Sequence, residues 1–281
     1  MTITVDPILV SFGATAIRWY GLLALLGLAL AVALSLHALE RERLGRRMAL
    51  DGLAWALPAG VLGARLVHVV GAWDYYLTNS AELWQLNLDG LSLWGGLAAG
   101  GLIFAARIGR GGVMRQRRIL DVVTPYALLG ISIGRIGEFL DGQGQGVPSD
   151  LPWATQYSST LAATPDFGMA RQPAQLYDAL IACALFGLLW VLPRGMPAGC
   201  RTAVALIAYA AARVALGTIR LDAAFVFGLQ IEQLLALGAI VLGLAFGLRV
   251  LLETCRGAHY GAQREGVAAK VAAAPEDSLA A

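Results

Sequence analysis

Between Trp19 and Leu36 the chain runs for 18 residues without a charged side chain. At a rise of about 1.5 Å per residue, such a run and its flanks can cross a hydrocarbon layer of roughly 30 Å as a helix. Six further apolar runs follow, at about 52–71, 90–106, 119–140, 174–192, 202–219 and 228–248. Only 14% of the residues are charged and 58% are hydrophobic, whereas a soluble domain is nearer a quarter charged. The expected fold class is therefore an all-α integral membrane protein with seven transmembrane helices, filling residues 1–254. The tail, 255–281, is rich in Ala, Gly and charge and reads as disordered. "MTITVDPILVSF" has neither the basic start nor the small-residue cleavage site of a secretory signal.

The connections alternate in charge. Most of the 21 basic residues sit in "HALERERLGRRM", "RIGRGGVMRQRR", "RGMPAGCR" and the flank after 248. The intervening loops, about 72–89, 141–173 and 220–227, hold Asp74, Glu82, Asp89, Asp141, Asp150, Asp166 and Asp222, with only Arg171 and Arg220 as cations. Cytoplasmic loops of membrane proteins are enriched in Lys and Arg. The expected topology places the N-terminus outside and the C-terminus in the cytoplasm. The net charge of +2 gives no reason to expect a nucleic-acid partner. Cys183, Cys200 and Cys255 are scattered and suggest neither a disulfide framework nor a metal site.

Outside those connections and loops four arginines remain, within or beside the apolar runs: Arg18, Arg65, Arg135 and Arg213. An arginine at the bilayer centre costs roughly 2.5–3.5 kcal/mol on insertion scales, so it normally faces a partner or a polar cavity. In "LLGISIGRIGEFLDGQGQG" Arg135 and Glu138 stand one helical turn apart, just before a glycine- and glutamine-rich loop. Arg135 can serve an ion pair with Glu138 or Asp141, or snorkel to the interface. It can also bind an anion, because guanidinium groups grip phosphate in bidentate fashion and stay charged when desolvated. Gly95, Gly96, Gly100, Gly101, Gly130, Gly134 and Gly137 admit close helix packing or close approach to a ligand. Pro173 suits the first turn of the fifth run, which brings Gln175 and Tyr177 to the depth of Arg18, Tyr20, Arg135 and Glu138. For Tyr20, Trp19 and Trp153 an interfacial aromatic belt is the alternative. The expectation is a polar cavity near the outer leaflet.

Several stretches carry a family resemblance: "RWYGLLALLG", "GARL", "NLDGLSLWGG", "GRIGEFLDGQGQGVPSDLPWA", "RQPAQLYDAL" and "YAAARVALGTIRLD". In order and spacing, from about residue 8 to 250, they resemble the prolipoprotein diacylglyceryl transferases of the bacterial inner membrane. The resemblance implies transfer of the diacylglyceryl group of phosphatidylglycerol to the lipobox cysteine thiol of a prolipoprotein signal peptide. It implies no cofactor and no metal. Arg135 and Arg213 match the family's two key arginines, and Glu138 completes the catalytic set expected for this chain. The substrate-binding set is Arg135, Tyr20, Gly95, Gly142, Gln175, Tyr177, Tyr209 and Arg220.

The chain departs from the family pattern at four polar positions. The usual histidine of the "HGG" segment is Trp94, which cannot transfer a proton. The usual asparagine after "GRxG" is Glu138, the usual histidine before "PSQLYE" is Gln172, and the usual glutamate after the Arg213 match is Gly217. Glu138 can replace the lost base, although a neighbouring cation weakens it in that role; His68 is a second candidate. Two other readings compete with the transferase. One is a diverged relative that binds lipid or lipoprotein, or uses another lipid substrate. The other is a small-solute transporter with Arg135, Arg213 and Glu138 along its pathway.

Overall fold

The computed structural model describes residues 1–12, 15–84, 91–164, 167–193, 195–221, 225–226 and 228–272. Arg194, Asp89, Asp166 and Asp222, which entered the charge pattern above, lie outside the described residues. Long helices dominate: α1 (Trp19–Arg41), α2 (Arg46–Gly71), α4 (Leu93–Gly109), α5 (Val113–Asp141), α6 (Ala174–Val191), α7 (Cys200–Gly217) and α8 (Ile231–Ala272). A short helix, α3 (Trp73–Thr78), follows α2. Among the described residues, six of the long helices are long and apolar enough to cross a membrane, and Leu93–Gly109 is a shorter apolar helix. Six strands of two to five residues form three two-stranded pieces: β1 (Thr2–Ile3) with β4 (Gln156–Tyr157), β2 (Ile8–Phe12) with β3 (Thr15–Arg18), and β5 (Phe225–Val226) with β6 (Leu229–Gln230).

Every expected apolar run has its helix, but several helices outgrow their run. α2 begins at Arg46 rather than 52, and α5 at Val113 rather than 119. Arginine and glutamine are good helix formers, and their heads can reach water from the end of an apolar helix. α8 continues to Ala272, past the boundary at 255 where disorder was expected. The run "GAQREGVAAKVA" is alanine-rich and propagates a helix already nucleated by the apolar segment.

Helix pairing is far from sequential. α1 packs along α5, and α2 along α4, while α1 barely meets α2. Glycines set both contacts. A Cβ on Gly27 of α1 would lie 2.5 Å from the Gly130 carbonyl oxygen of α5, and one on Gly130 would lie 2.8 Å from the Gly27 oxygen. On the second pair, a Cβ on Gly63 would lie 2.7 Å from the Gly95 oxygen, and one on Gly95 would collide with the Gly63 oxygen. Two backbones this close admit no side chain between them. α6 joins α5, and α7 and α8 close the bundle.

The four basic connections meet at one end. Arg115 Nε donates to the Leu44 carbonyl at 3.1 Å, Arg107 Nη2 pairs with Asp51 at 2.8 Å, and Arg117 Nη1 pairs with Glu253 at 2.8 Å. Asp121 on α5 caps the start of α7, accepting from the Gly199 and Thr202 backbone N–H groups at 2.6 and 2.9 Å. The other end is roofed by the loop after α5. That loop is tied down by β1–β4, by bridges of Gly146 to Arg220 and of Pro148 and Thr155 to Arg171, and by the N-terminal ammonium, which donates to the Ala154 carbonyl at 2.6 Å.

Candidate active site

Beneath that roof lies a buried cluster of charges drawn from four helices. Arg135 projects from α5 and is 2% exposed; Arg213 projects from α7 and is 1% exposed. Asp178 on α6 is fully buried between them. Its Oδ2 lies 2.7 Å from Arg135 Nε and 3.5 Å from Arg213 Nη1. Glu138, one turn after Arg135, accepts from Arg135 Nη1 through Oε1, and its Oε2 lies 3.5 Å from Arg220 Nη1. Glu232, in the first turn of α8, pairs with Arg213 Nη2. Three guanidinium groups thus meet three carboxylates. Buried charges need this pairing, because removing one partner leaves an uncompensated ion at a cost of about 3–5 kcal/mol. Arg135 Nη2 and Asp178 Oδ1 are buried and have no hydrogen-bond partner among the described residues.

The cluster opens onto an apolar cleft. A cavity of about 440 Å³ runs between the α1–α5 pair and the α2–α4 pair. It extends from Leu39, Ala49 and Phe104 near the basic end to Tyr20, Arg135 and Glu138 at the other. The walls are Ala, Leu, Val and Gly for most of that length. The cleft exists because glycine contact holds each helix pair tightly while the two pairs touch little.

The other residues singled out from the sequence are dispersed. Tyr209 and Gln175 belong to the cluster. Tyr209 is buried one turn before Arg213, with its ring stacked on Trp94 at 5.7 Å between centroids and 10° between planes. Gln175 is fully buried and donates to the Gln143 carbonyl at 2.5 Å. At the rim, Tyr177 accepts from Trp153 Nε1 at 2.7 Å, and Gly142 ends α5 in a left-handed conformation, φ +86°. Gly95 faces α2 in the contact described above. Arg65 and His68 stand apart from the cluster. Arg65 donates to the Glu82 carbonyl at 2.6 Å and lies 5.2 Å from the Tyr76 ring centre, while His68 meets the edge of the same ring at 6.2 Å. Arg18 pairs with Asp141 at 2.7 Å, so of the two acids offered to Arg135 by the sequence, Glu138 is the one it meets. In the roof, burial pushes the Tyr157 phenol up from its usual range, and its hydroxyl donates to the Phe139 carbonyl.

Sequence reading missed Asp178 and Glu232. Asp178 had a signal, an acid inside the apolar run "QLYDALIACAL". Glu232 had the same signal, an acid inside the run 228–248, but its partner depends on how α8 docks against α7. Trp94 fills the position of the expected histidine with a buried indole whose Nε1 has no partner among the described residues.

A family model described as prolipoprotein diacylglyceryl transferase matches residues 7–249. A phosphatidylglycerol–prolipoprotein diacylglyceryl transferase of Finegoldia magna is 29% identical over 246 residues, covering 87% of this chain and 95% of that protein. One from Streptococcus pneumoniae strain Hungary19A-6 is 33% identical over 249 residues, covering 85% of this chain and 92% of that protein.

Proposed function

We infer the activity from one premise: this chain belongs to the prolipoprotein diacylglyceryl transferase family. It is a multi-pass membrane transferase that moves the diacylglyceryl group of phosphatidylglycerol onto prolipoproteins. The observation that carries this reading is the apolar cleft ending on Arg135 and Glu138. A two-chain lipid requires both features, a dry slot for acyl tails and a cation at its mouth for the phosphate. The acceptor in this reading is the lipobox cysteine of the signal peptide, and the membrane is the bacterial inner membrane. The positive-inside rule turns the arginine-rich end to the cytoplasm and the charge cluster to the outer leaflet.

The proposed chemistry assigns each charge a task. Arg135 and Arg213 bind the phosphate oxygens, and Arg220 adds positive field behind Glu138. The thiol is the acceptor's, and only its thiolate is a competent nucleophile. Glu138 takes the thiol proton; the S–H bond breaks and a carboxylic acid forms. The thiolate then attacks the glycerol carbon that bears the phosphate ester. A C–S bond forms, the C–O bond breaks, and its electron pair departs on the oxygen of glycerol phosphate. The guanidinium groups stabilise that developing negative charge where water is excluded and such stabilisation is strongest. Tyr20, Gln175, Tyr177, Tyr209 and Gly142 shape the binding site around these atoms, while Gly95 acts through the α2–α4 contact that walls the cleft.

The test is complementation of a strain depleted of its own transferase, followed by mass measurement of a prolipoprotein. The expected result is a mass gain equal to one diacylglyceryl group on the lipobox cysteine. Well-expressed, membrane-inserted protein that yields no thioether product would overturn the reading.

A further inference from the structure

We propose that Glu232 on α8 is a positioning residue for the transfer reaction, holding Arg213 in its working pose in place of a carboxylate that α7 does not carry. The proposal rests on the phosphate-binding role given to Arg213 above. An arginine on a helix is most simply steadied by an acid one turn further along the same helix. For Arg213 that position is Gly217, where the family resemblance puts a glutamate. Gln233 occupies that space: a Cβ on Gly217 would lie 2.5 Å from both Cγ and Nε2 of Gln233.

Gln233 is itself fixed. Its Nε2 donates to the Val214 carbonyl at 3.2 Å, and its Oε1 accepts from the Gln230 backbone N–H at 3.0 Å. Gln230 in turn donates to the Arg220 carbonyl at 2.9 Å. The first turn of α8 is thereby stitched to the last turn of α7, and the next side chain along, Glu232, reaches Arg213 Nη2. A carboxylate in the first turn of a helix is also favoured by the helix dipole.

Asp178 serves the two arginines unequally. Asp178 lies 2.7 Å from Arg135 but 3.5 Å from Arg213. The shared acid is committed mainly to Arg135. Glu232 approaches from the edge of the cluster, with 22% of its side chain exposed against 1% for Arg213. It draws Nη2 toward α8 and so sets the plane of the guanidinium. Glu232 touches neither lipid nor thiol in this scheme; it acts through Arg213.

The experiment uses the full chain in detergent micelles with phosphatidylglycerol and a lipobox peptide. Glu232→Gln is expected to lower kcat/KM by about tenfold or more, with kcat carrying most of the loss. Moving the acid back to α7, in E232Q/G217E/Q233A, is expected to restore the rate to within about threefold of wild type. A merely structural role for Glu232 predicts no such rescue. Wild-type rates in Glu232→Gln, or a folded triple variant as slow as the single, would overturn the proposal. If the triple variant does not fold, a double-mutant cycle on thermal midpoints decides. Glu232→Gln should lower the midpoint less in an Arg213→Gln background than in wild type, and additive losses would overturn the pairing. The cycle also separates the two claims: a chain inactive throughout refutes the transferase reading, while the cycle still judges the pair.

Discussion

Glu138→Gln separates two tasks that one carboxylate performs in the proposed site. Gln is nearly isosteric with Glu, so the cleft keeps its shape while the charge balance around Arg135 shifts by one unit. Arg135 Nη1 is bonded to Glu138 and Nε faces Asp178, while Nη2 has no partner among the described residues. A bidentate phosphate needs two N–H groups on one edge, so Glu138 must release Nη1 when lipid binds. It then falls back on Arg220, 3.5 Å away. That attraction is about 5 kcal/mol gross at an effective dielectric of about 20, and desolvation cancels most of it. The amide oxygen of Gln still accepts from Nη1 but holds it less tightly than a carboxylate, so KM for phosphatidylglycerol should fall, by up to about tenfold. The same substitution removes the proton acceptor for the thiol, and general-base catalysis is typically worth about 10²–10⁴ in rate. The variant should therefore bind lipid better and turn over far more slowly. The assay is thioether formation on a lipobox peptide, followed by mass spectrometry while phosphatidylglycerol is varied. A kcat within about threefold of wild type would refute the base assignment and leave Glu138 as an occupant of the anion site.

Other perturbations test separate parts of the scheme. Arg135→Ala and Arg213→Ala should each cut lipid-dependent transfer by about 10²–10³, the usual loss on removing a donor to a developing anion; full activity in Arg135→Ala would remove the phosphate clamp. Gly27→Ala places a methyl 2.5 Å from the Gly130 oxygen and should lower the thermal midpoint in detergent, by an amount equivalent to about 1–3 kcal/mol. Gly187→Ala, with nothing within 4 Å of its new Cβ, should leave the midpoint unchanged or raise it slightly. Single cysteines placed in 110–116 should react with a membrane-impermeant maleimide only after the membrane is opened; labelling in intact cells would invert the proposed topology.

Helices and their charge pattern were legible because both are local. The uncharged run Trp19–Leu36 specifies α1 whatever surrounds it, and the arginines at 41–47, 107–118 and 201 mark one end of the bundle. Arg135 and Glu138 announced themselves as a pair at helical spacing. The cleft was not legible, since it follows from α1 choosing α5 over α2, a decision made by glycines more than a hundred residues apart. Asp178 was visible as an acid in an apolar run, but nothing local shows that it bridges two arginines from different helices. The position of Gly95 is similar. Its sequence neighbours suit a ligand or a packing contact equally, and only the approach of Gly63 shows what its bare face meets.

The spacing of Arg135 and Glu138 on a single helix bears on how the protein reaches its membrane. α5 is complete at Asp141, before Asp178, Arg213 or Glu232 has been synthesised. At roughly 5–20 residues per second, α5 waits several seconds for those partners. An arginine entering lipid alone faces the insertion cost of about 2.5–3.5 kcal/mol throughout that interval. Arg135 does not enter alone, because its first counterion lies three residues away on the same rod. The neutral pair lets α5 settle against α1 as a finished unit, and the later helices deliver the remaining charges to an arginine already in place.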